Sequence, residues 1–413
     1  MSGWKRAGNI SIAIICIIIM IGGTLFTSPV ISKAREEEQE FQAVWISYLE
    51  FADRLKDPAT GTMGFTMERF EAVIDDMFDQ VVNLKMNAVV VQVRPFADAM
   101  YPSENFPWSK YISGTQGKDP GFDPLEYMVA AAHKRGLKFH AWINPYRITS
   151  GSTDVKLLSK DNSARIWLTN KTKEDDRRVL SYGGSLYYNP SDTGVQFLII
   201  DGIKEIVEKY DVDGIHFDDY FYPTFGSEYA KVFDEKEYQT EVKWRKKNDV
   251  EITSIADWRR ENVNYLIEYV YLTIKDINPE VVFGISPGGF IDSLTRDDRY
   301  YCDIETWLSE PGYIDYICPQ IYWTFSNASY PYDKTLDRWL KLKTNPDVKM
   351  YVGIATYQSG SDQPDWKKDS AMLKKQIEYG RKTGQVDGYI YFRYDYFFKK
   401  ETKAGVQKLL KIL

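Results

Sequence analysis

Beyond residue 40, short apolar runs alternate with longer stretches in which apolar residues recur every three to four positions. Short runs rich in β-branched and aromatic side chains read as strands, and the longer period reads as helices buried along one stripe. The runs predict strands at residues 42–47, 87–94, 138–144, 213–219, 281–286, 314–323, 350–357 and 388–394. The longer period predicts helices at 66–84, 124–135, 191–210, 257–277, 304–308, 332–342, 370–383 and from 401 onward. In the first helix Phe70, Val73, Ile74, Met77, Val81 and Leu84 form one face. In the second, Asp123-Pro124 supplies the start signal and Gly136 the stop.

Strands this apolar are buried on both faces, as in parallel sheets covered by helices. Eight strand–helix units, with no glycine-rich phosphate fingerprint after the first strand, predict an α/β fold of the closed (β/α)8 TIM-barrel type. Two long segments, 145–190 and 220–256, follow the third and fourth strands and are expected to wall a groove.

The first 34 residues depart from this pattern. Lys5 and Arg6 precede an apolar run at 10–26, and Ser32 and Ala34 give the small-x-small spacing of a cleavage site. The segment reads as a signal peptide or an N-terminal membrane anchor, followed by an acidic linker at 35–40 and the barrel domain at 41–413. Cys16 follows Ile15 rather than a small residue, so lipidation is not expected. An exported barrel is the expectation, touching membrane only through this segment. It retains Cys302 and Cys318, expected as buried free thiols, one on a helix and one in a strand.

Composition narrows the function. With 44% apolar and 27% charged residues, a large core is feasible and wholesale disorder is excluded. The net charge of −7 is spread along the chain without a basic stripe, so no nucleic-acid partner is expected. Aromatic residues reach 15%, many in loop positions where ring faces suit the apolar face of a sugar.

Barrels of this type carry their chemistry at the C-terminal strand ends. Those positions hold Trp45, Ser47 and Tyr48, then Gln92 and Arg94, then Trp142 and Asn144 with Tyr146 just beyond. The fourth strand ends in His216, Asp218, Asp219 and Tyr220, with Tyr222 following, and the fifth in Ser286. The last three contribute Gln320, Tyr322 and Trp323, then Tyr357, then Arg393. This polar and aromatic set fits a polyhydroxylated ligand. Arg94 can equally pair with an aspartate inside the barrel.

The segment 212–223, VDGIHFDDYFYP, ends an apolar strand in two adjacent carboxylates. Their repulsion raises one pKa, favouring a protonated acid beside an ionised partner. Alternation along the strand sends Asp219 away from His216 and Asp218 unless the chain is already turning. Asp218 and Asp219 are therefore the candidate catalytic pair, and loop residues Glu50, Asp53, Asp98 and Asp292 are further carboxylates within reach. His133 falls on a helix and His140 in mid-strand, so no ligand triad forms, and neither a metal nor another cofactor is expected. His216 then bonds a sugar hydroxyl, orients Asp218 or serves the core. There is no G-x-S-x-G nucleophile elbow.

The blocks AVWIS, VVVQVRP, FHAWINPYR, LYYNPSDTGV, VDGIHFDDYFYP, GISPGGF and CPQIYW, in this order, resemble the bacterial glycosyl-hydrolase-like family 10 over residues 41–396. The resemblance implies a TIM-barrel glycosidase of the cell envelope acting on peptidoglycan glycan strands, notably strands stripped of peptides. Other polysaccharides, or a glycan-binding barrel without turnover, are the alternatives. The fourth strand is also similar to the D-G-x-D-x-D-x-E motif of chitinase-like enzymes, matched by Asp213 and Asp218. His216 stands at its second Asp and Tyr220 at its catalytic Glu. Gln320-Ile321-Tyr322 is similar to the Met-x-Tyr of the same enzymes. This second likeness implies that the substrate's acetamido group is the nucleophile. Asp219 would be the general acid, Asp218 would orient the acetamido group, and Gln320 and Tyr322 would bind it, with the two aspartates exchangeable. Arg94, Asn144 and Tyr146 would hold hydroxyls or a lactyl carboxylate, and Trp108, Trp142, Tyr220, Tyr222 and Trp323 would stack on sugars.

Overall fold

The structure is a computed structural model that describes residues 39–56, 61, 66–173, 175–218 and 221–413. The apolar N-terminal segment, Asp219 and Tyr220 lie outside the described residues.

Eight parallel strands close into a barrel. They are β1 (Phe41–Ile46), β2 (Ala88–Arg94), β3 (Lys138–Ile143), β4 (Gly214–Asp218), β5 (Val282–Ser286), β6 (Tyr316–Ile317), β7 (Lys349–Ala355) and β8 (Gly388–Phe392). Each pairs with its neighbours in chain order, and β1 pairs with β8 through Phe41–Gly388 and Val44–Tyr391 to complete the ring. One helix follows each strand on the outside: α1 (Met67–Asn83), α2 (Pro124–His133), α3 (Thr193–Lys209), α4 (Ile255–Ile277), α5 (Ile304–Ser309), α6 (Tyr332–Leu342), α7 (Met372–Thr383) and α8 (Lys403–Leu409). Thr66 caps α1, and Asp123 caps α2 with Pro124 in the first turn, as the Asp123-Pro124 start signal predicts.

Two apolar shells hold this together. Outward strand residues such as Val89, Val91 and Phe217 pack against the helix stripes. Inward residues Phe41, Trp45, Val90, Trp142, Tyr316 and Ile390 fill the barrel. Large rings fit inside because glycines face them. A Cβ on Gly284 would fall 2.1 Å from ring carbons of Tyr316, and one on Gly214 would fall 2.9 Å from the His140 ring.

The sixth strand is shorter than the apolar run 314–323 predicts. Pro319 lacks a donor N–H, so the ladder stops at Ile317 and Gln320 keeps only single bridges to Gly288 and Gly353. The first insertion is not a bare loop: it carries a hairpin of Val179–Tyr182 with Ser185–Tyr188. The second carries a helix, Glu235–Lys247, whose Arg177–Glu237 ion pair ties the two insertions together. Cys302 and Cys318 are buried free thiols, but Cys302 precedes α5 and Cys318 follows β6 rather than lying within a helix and a strand. No helix among the described residues is long and apolar enough to cross a membrane.

Candidate active site

The strand ends converge on a cavity of about 360 Å³ at the C-terminal mouth of the barrel. Trp45, Trp142 and Phe392 give it aromatic walls, with Leu49 beside them. Ser47, Gln92, Asn144, Ser286 and Gln320 supply neutral polar groups, and Tyr48 and Tyr322 combine both characters. Asp218 is the acid and Arg147 the cation among the described lining residues.

Asp218 is the last residue of β4, buried to 8% exposure. Its Oδ1 accepts a 3.1 Å hydrogen bond from Gln320 Nε2, which also donates to the Ser286 carbonyl at 2.7 Å. Gln320 is thereby fixed with its amide nitrogen toward the carboxylate. Across the mouth, Asn144 Oδ1 accepts from Trp142 Nε1 at 3.0 Å, while the buried Asn144 Nδ2 has no partner among the described residues and can donate to a ligand. Gln92 Oε1 accepts from the Tyr48 N–H at 3.2 Å.

His216 does not line the cavity. It lies beneath, in a hydrogen-bonded chain whose direction follows from donor chemistry. Trp45 Nε1 is only a donor, so His216 Nε2 accepts at 3.1 Å. The ring proton then sits on Nδ1 and is donated to Tyr316 Oη at 2.8 Å. Tyr316 passes its own proton to His140 Nδ1 at 3.0 Å. Ser286 Oγ also reaches His216 Nε2, at 2.9 Å. Burial holds both imidazoles neutral, pushing His140 down to about 4 and His216 well below its ordinary value. His216 thus positions Trp45 and Ser286, two residues that do face the cavity.

Several expected ligand-binding residues lie elsewhere. Arg94 is displaced by a bulge, because the β2–β3 register shifts between Gln92 and Arg94. The extra residue turns its side chain to the helix side, where the guanidinium lies 4.1 Å over the Phe106 ring, against Gly202 of α3. Tyr146 follows the end of β3, where strand alternation lapses, and is buried in the outer core. Tyr222 packs on Tyr301 and Phe225 beside Arg259, which is ion-paired with Asp234. Trp323 stacks on Phe290 at 3.8 Å, outside the cavity lining. Tyr357 stands behind Tyr322 and Phe392. Arg393 turns to the buried Glu50, which also caps the short helix Tyr48–Arg54 through Ser47.

Of the other carboxylates weighed as partners, Asp53, Asp98 and Asp292 do not line the cavity. Asp98 is buried beside Gln116, its pKa raised to about 6 by desolvation, while Asp53 is exposed and Asp292 pairs with Arg338. Asp213 sits at the entry end of β4, where its carboxylate accepts the Phe139 N–H at 2.7 Å. Among the described residues no cluster of His, Cys, Asp and Glu is arranged to hold a metal ion. Leu49, Arg147 and Phe392 are the lining residues that strand patterning did not single out. Phe392 follows the inward alternation of Ile390, whereas Arg147 ends the FHAWINPYR block beyond the strand and offers no periodic signal.

Comparison with known proteins agrees with this architecture. Residues 40–368 match the family model described as glycosyl hydrolase-like 10. The chain is 37% identical over 398 residues to glycosyl hydrolase YngK of Bacillus subtilis (strain 168), covering 92% of this chain and 73% of that protein. It is 32% identical over 412 residues to glycosyl hydrolase DigH of Escherichia coli (strain K12), covering 94% and 91%. Among solved structures it is similar in fold to the PgaB (BpsB) glycoside hydrolase domain of Bordetella bronchiseptica, with a TM-score of 0.55, 14% identity and coverage of 90% and 99%. With a matched family model over most of its length and relatives covering more than nine-tenths of it, the chain belongs to the glycosyl hydrolase-like 10 family.

Proposed function

We propose that this protein is an exported glycoside hydrolase that cleaves an N-acetylated glycan of the bacterial cell envelope, with peptidoglycan strands as substrate. The observation that carries the reading is the Asp218–Gln320 pair in an aromatic-walled, neutral-polar cavity at the barrel mouth. Stacking walls take the faces of sugar rings, and the amides and hydroxyls take their edges. An acetamido group fits beside Asp218, which accepts its N–H and so turns its carbonyl oxygen toward the anomeric carbon.

In that mechanism the acetamido oxygen forms a bond to C1 as the glycosidic C–O bond breaks, and Asp219 gives its proton to the departing oxygen. Water then adds at C1, returning its proton to Asp219 and releasing the acetamido group. Tyr322 and Gln320 stand where the acetamido group would be held, and Asn144 Nδ2 is a donor for a ring hydroxyl.

The test is digestion of purified peptidoglycan, intact and peptide-stripped, by the chain from about residue 35, with products identified by mass spectrometry. Asp218→Asn and Asp219→Asn are each expected to lower kcat by roughly 100-fold or more, the scale of a lost general acid or electrostatic group. Binding without released sugar fragments would sink the hydrolase reading in favour of a glycan-binding barrel. Near-normal turnover in both variants would remove the two aspartates from the chemistry.

A further inference from the structure

The aromatic surface of the barrel mouth does not end at the cavity. The loops after β5 and β6 run on together beyond it, because Gly288 bridges Gln320 and the Gly289 N–H donates to the Gln320 carbonyl at 3.1 Å. Gln320 is the residue that holds Asp218. Just past this joint Phe290 and Trp323 stack with ring centroids 3.8 Å apart, and Tyr330 meets Phe290 edge-on at 4.5 Å. Only glycine at 289 permits this approach. A Cβ there would fall 2.6 Å from the Gln320 carbonyl oxygen and 2.7 Å from Cη2 of Trp323. Three residues of α6 within one helical turn fix the group. Trp323 Nε1 donates to Thr335 Oγ1 at 3.3 Å, Arg338 grips Asp292 with bonds of 2.6 and 3.0 Å, and Trp339 Nε1 donates to the Gly289 carbonyl at 2.9 Å. The Tyr330 N–H is held by Asn327 Oδ1 at 2.8 Å. Despite this bracing the three rings are only half-buried, and the Asp292–Arg338 pair beside them is exposed. Three adjacent rings kept partly in water forgo hydrophobic stabilisation, and a rigid group of that kind beside a cavity marks a binding surface.

We infer that Phe290, Trp323 and Tyr330 form an outer subsite that takes a sugar ring of the same glycan, linked to the ring in the cavity but lying outside it. The inference rests on the glycan-hydrolase reading above and adds a second binding surface for the chain. Continuity names the occupant. The ledge joins the cavity through Gln320, so a glycan with one ring beside Asp218 meets the ledge as it leaves on the β5–β6 side. A sugar fits such a surface chemically, since it carries C–H bonds on its faces and hydroxyls around its edge. The rings take a face, and the Asp292–Arg338 pair at the rim offers acceptors and donors to the edge. The ledge thereby selects for the length of the chain.

Peptide-stripped strands sized into oligomers of increasing length, from a disaccharide upward, test this. The wild-type chain is expected to show kcat/KM higher by roughly 3- to 10-fold on the longest oligomers than on the shortest it cleaves, mostly through KM, the scale of one aromatic ring contact. In Phe290→Leu and Tyr330→Leu, which keep apolar bulk but lose the ring, that ratio falls toward one. In Phe290→Tyr, which keeps the ring, it is retained. A purely structural role for the rings would lower kcat/KM at every length and leave the ratio as it is. Far-ultraviolet circular dichroism establishes that the variants are folded, and either leucine variant reports on its own if the other is not. An unchanged ratio in the leucine variants, or no dependence on length in the wild type, overturns the subsite while leaving the hydrolase reading intact. Failure of the wild type to cleave any oligomer overturns both.

Discussion

Single residues decide what the cavity can bind, and two neighbours on β2 illustrate how. Gln92 and Arg94 are two apart, so strict alternation puts both on one face, yet only Gln92 faces the cavity. The bulge between them has no sequence signature as plain as a glycine, and the surrounding run of valines reads as regular strand. What the sequence did carry was charge: a buried arginine needs neighbours, and Arg94 finds Phe106 with Tyr101, Glu205 and Asp98 near enough to influence its charge. Arg94→Met is therefore expected to lower stability by roughly 1–3 kcal/mol while leaving kcat/KM within about threefold. Urea denaturation and glycan-release assays on the same preparation check it. A tenfold loss of activity at full stability would return Arg94 to the substrate's path. The carboxylate at 218 was legible because a charged residue ending an apolar strand has few other uses, whereas Arg147, beyond the end of β3, became visible only when loops from different strands were brought together.

At the scale of elements, the strands were legible because their apolar runs are local, and each of the eight predicted runs overlaps a barrel strand. The insertions were not, because their order comes from distant partners. The Tyr182 hydroxyl, for example, donates to the Thr224 carbonyl at 2.6 Å across the two insertions. Strand β6 was over-read for the opposite reason: hydrophobicity continues to Trp323 while the hydrogen-bonding ladder stops short of Pro319. Its shortness places weight on Tyr316, whose ring occupies the space a side chain on Gly284 would take. Gly284→Ala is expected to destabilise the fold by about 1–3 kcal/mol or more, since the ring cannot move without leaving both histidines. Denaturation midpoints within experimental error of the wild type would mean that the strand shifts to accommodate the methyl group.

For the molecule as a whole, the buried polar chain makes stability depend on pH. His140 and His216 have folded-state pKa values below the ordinary 6.5, so below that pH the unfolded chain binds protons that the folded one refuses. Their contribution is complete above about pH 6.5 and is lost as pH falls, at about 1.4 kcal/mol per pH unit for each. Asp98 works the other way between 3.8 and about 6, because its folded-state pKa is raised and the native state takes up its proton first. Two lowered histidines against one raised aspartate leave a net loss of stability as pH falls from about 6.5. Guanidinium unfolding at about pH 7.5, 6 and 5 measures this. A flat profile would show that water enters the barrel and hydrates the imidazoles.

The pairing of β1 with β8 has a consequence for how the protein is made. The two staves that lock the cylinder are the first and the last to leave the ribosome, residues 41–46 and 388–392. Until the final stave arrives, the nascent sheet has two raw margins, one on β1 and one on β7, each able to pair with any extended strand nearby. A message cut short before codon 388 would yield a product with both margins permanently open, prone to stick to its siblings and fit for destruction rather than use.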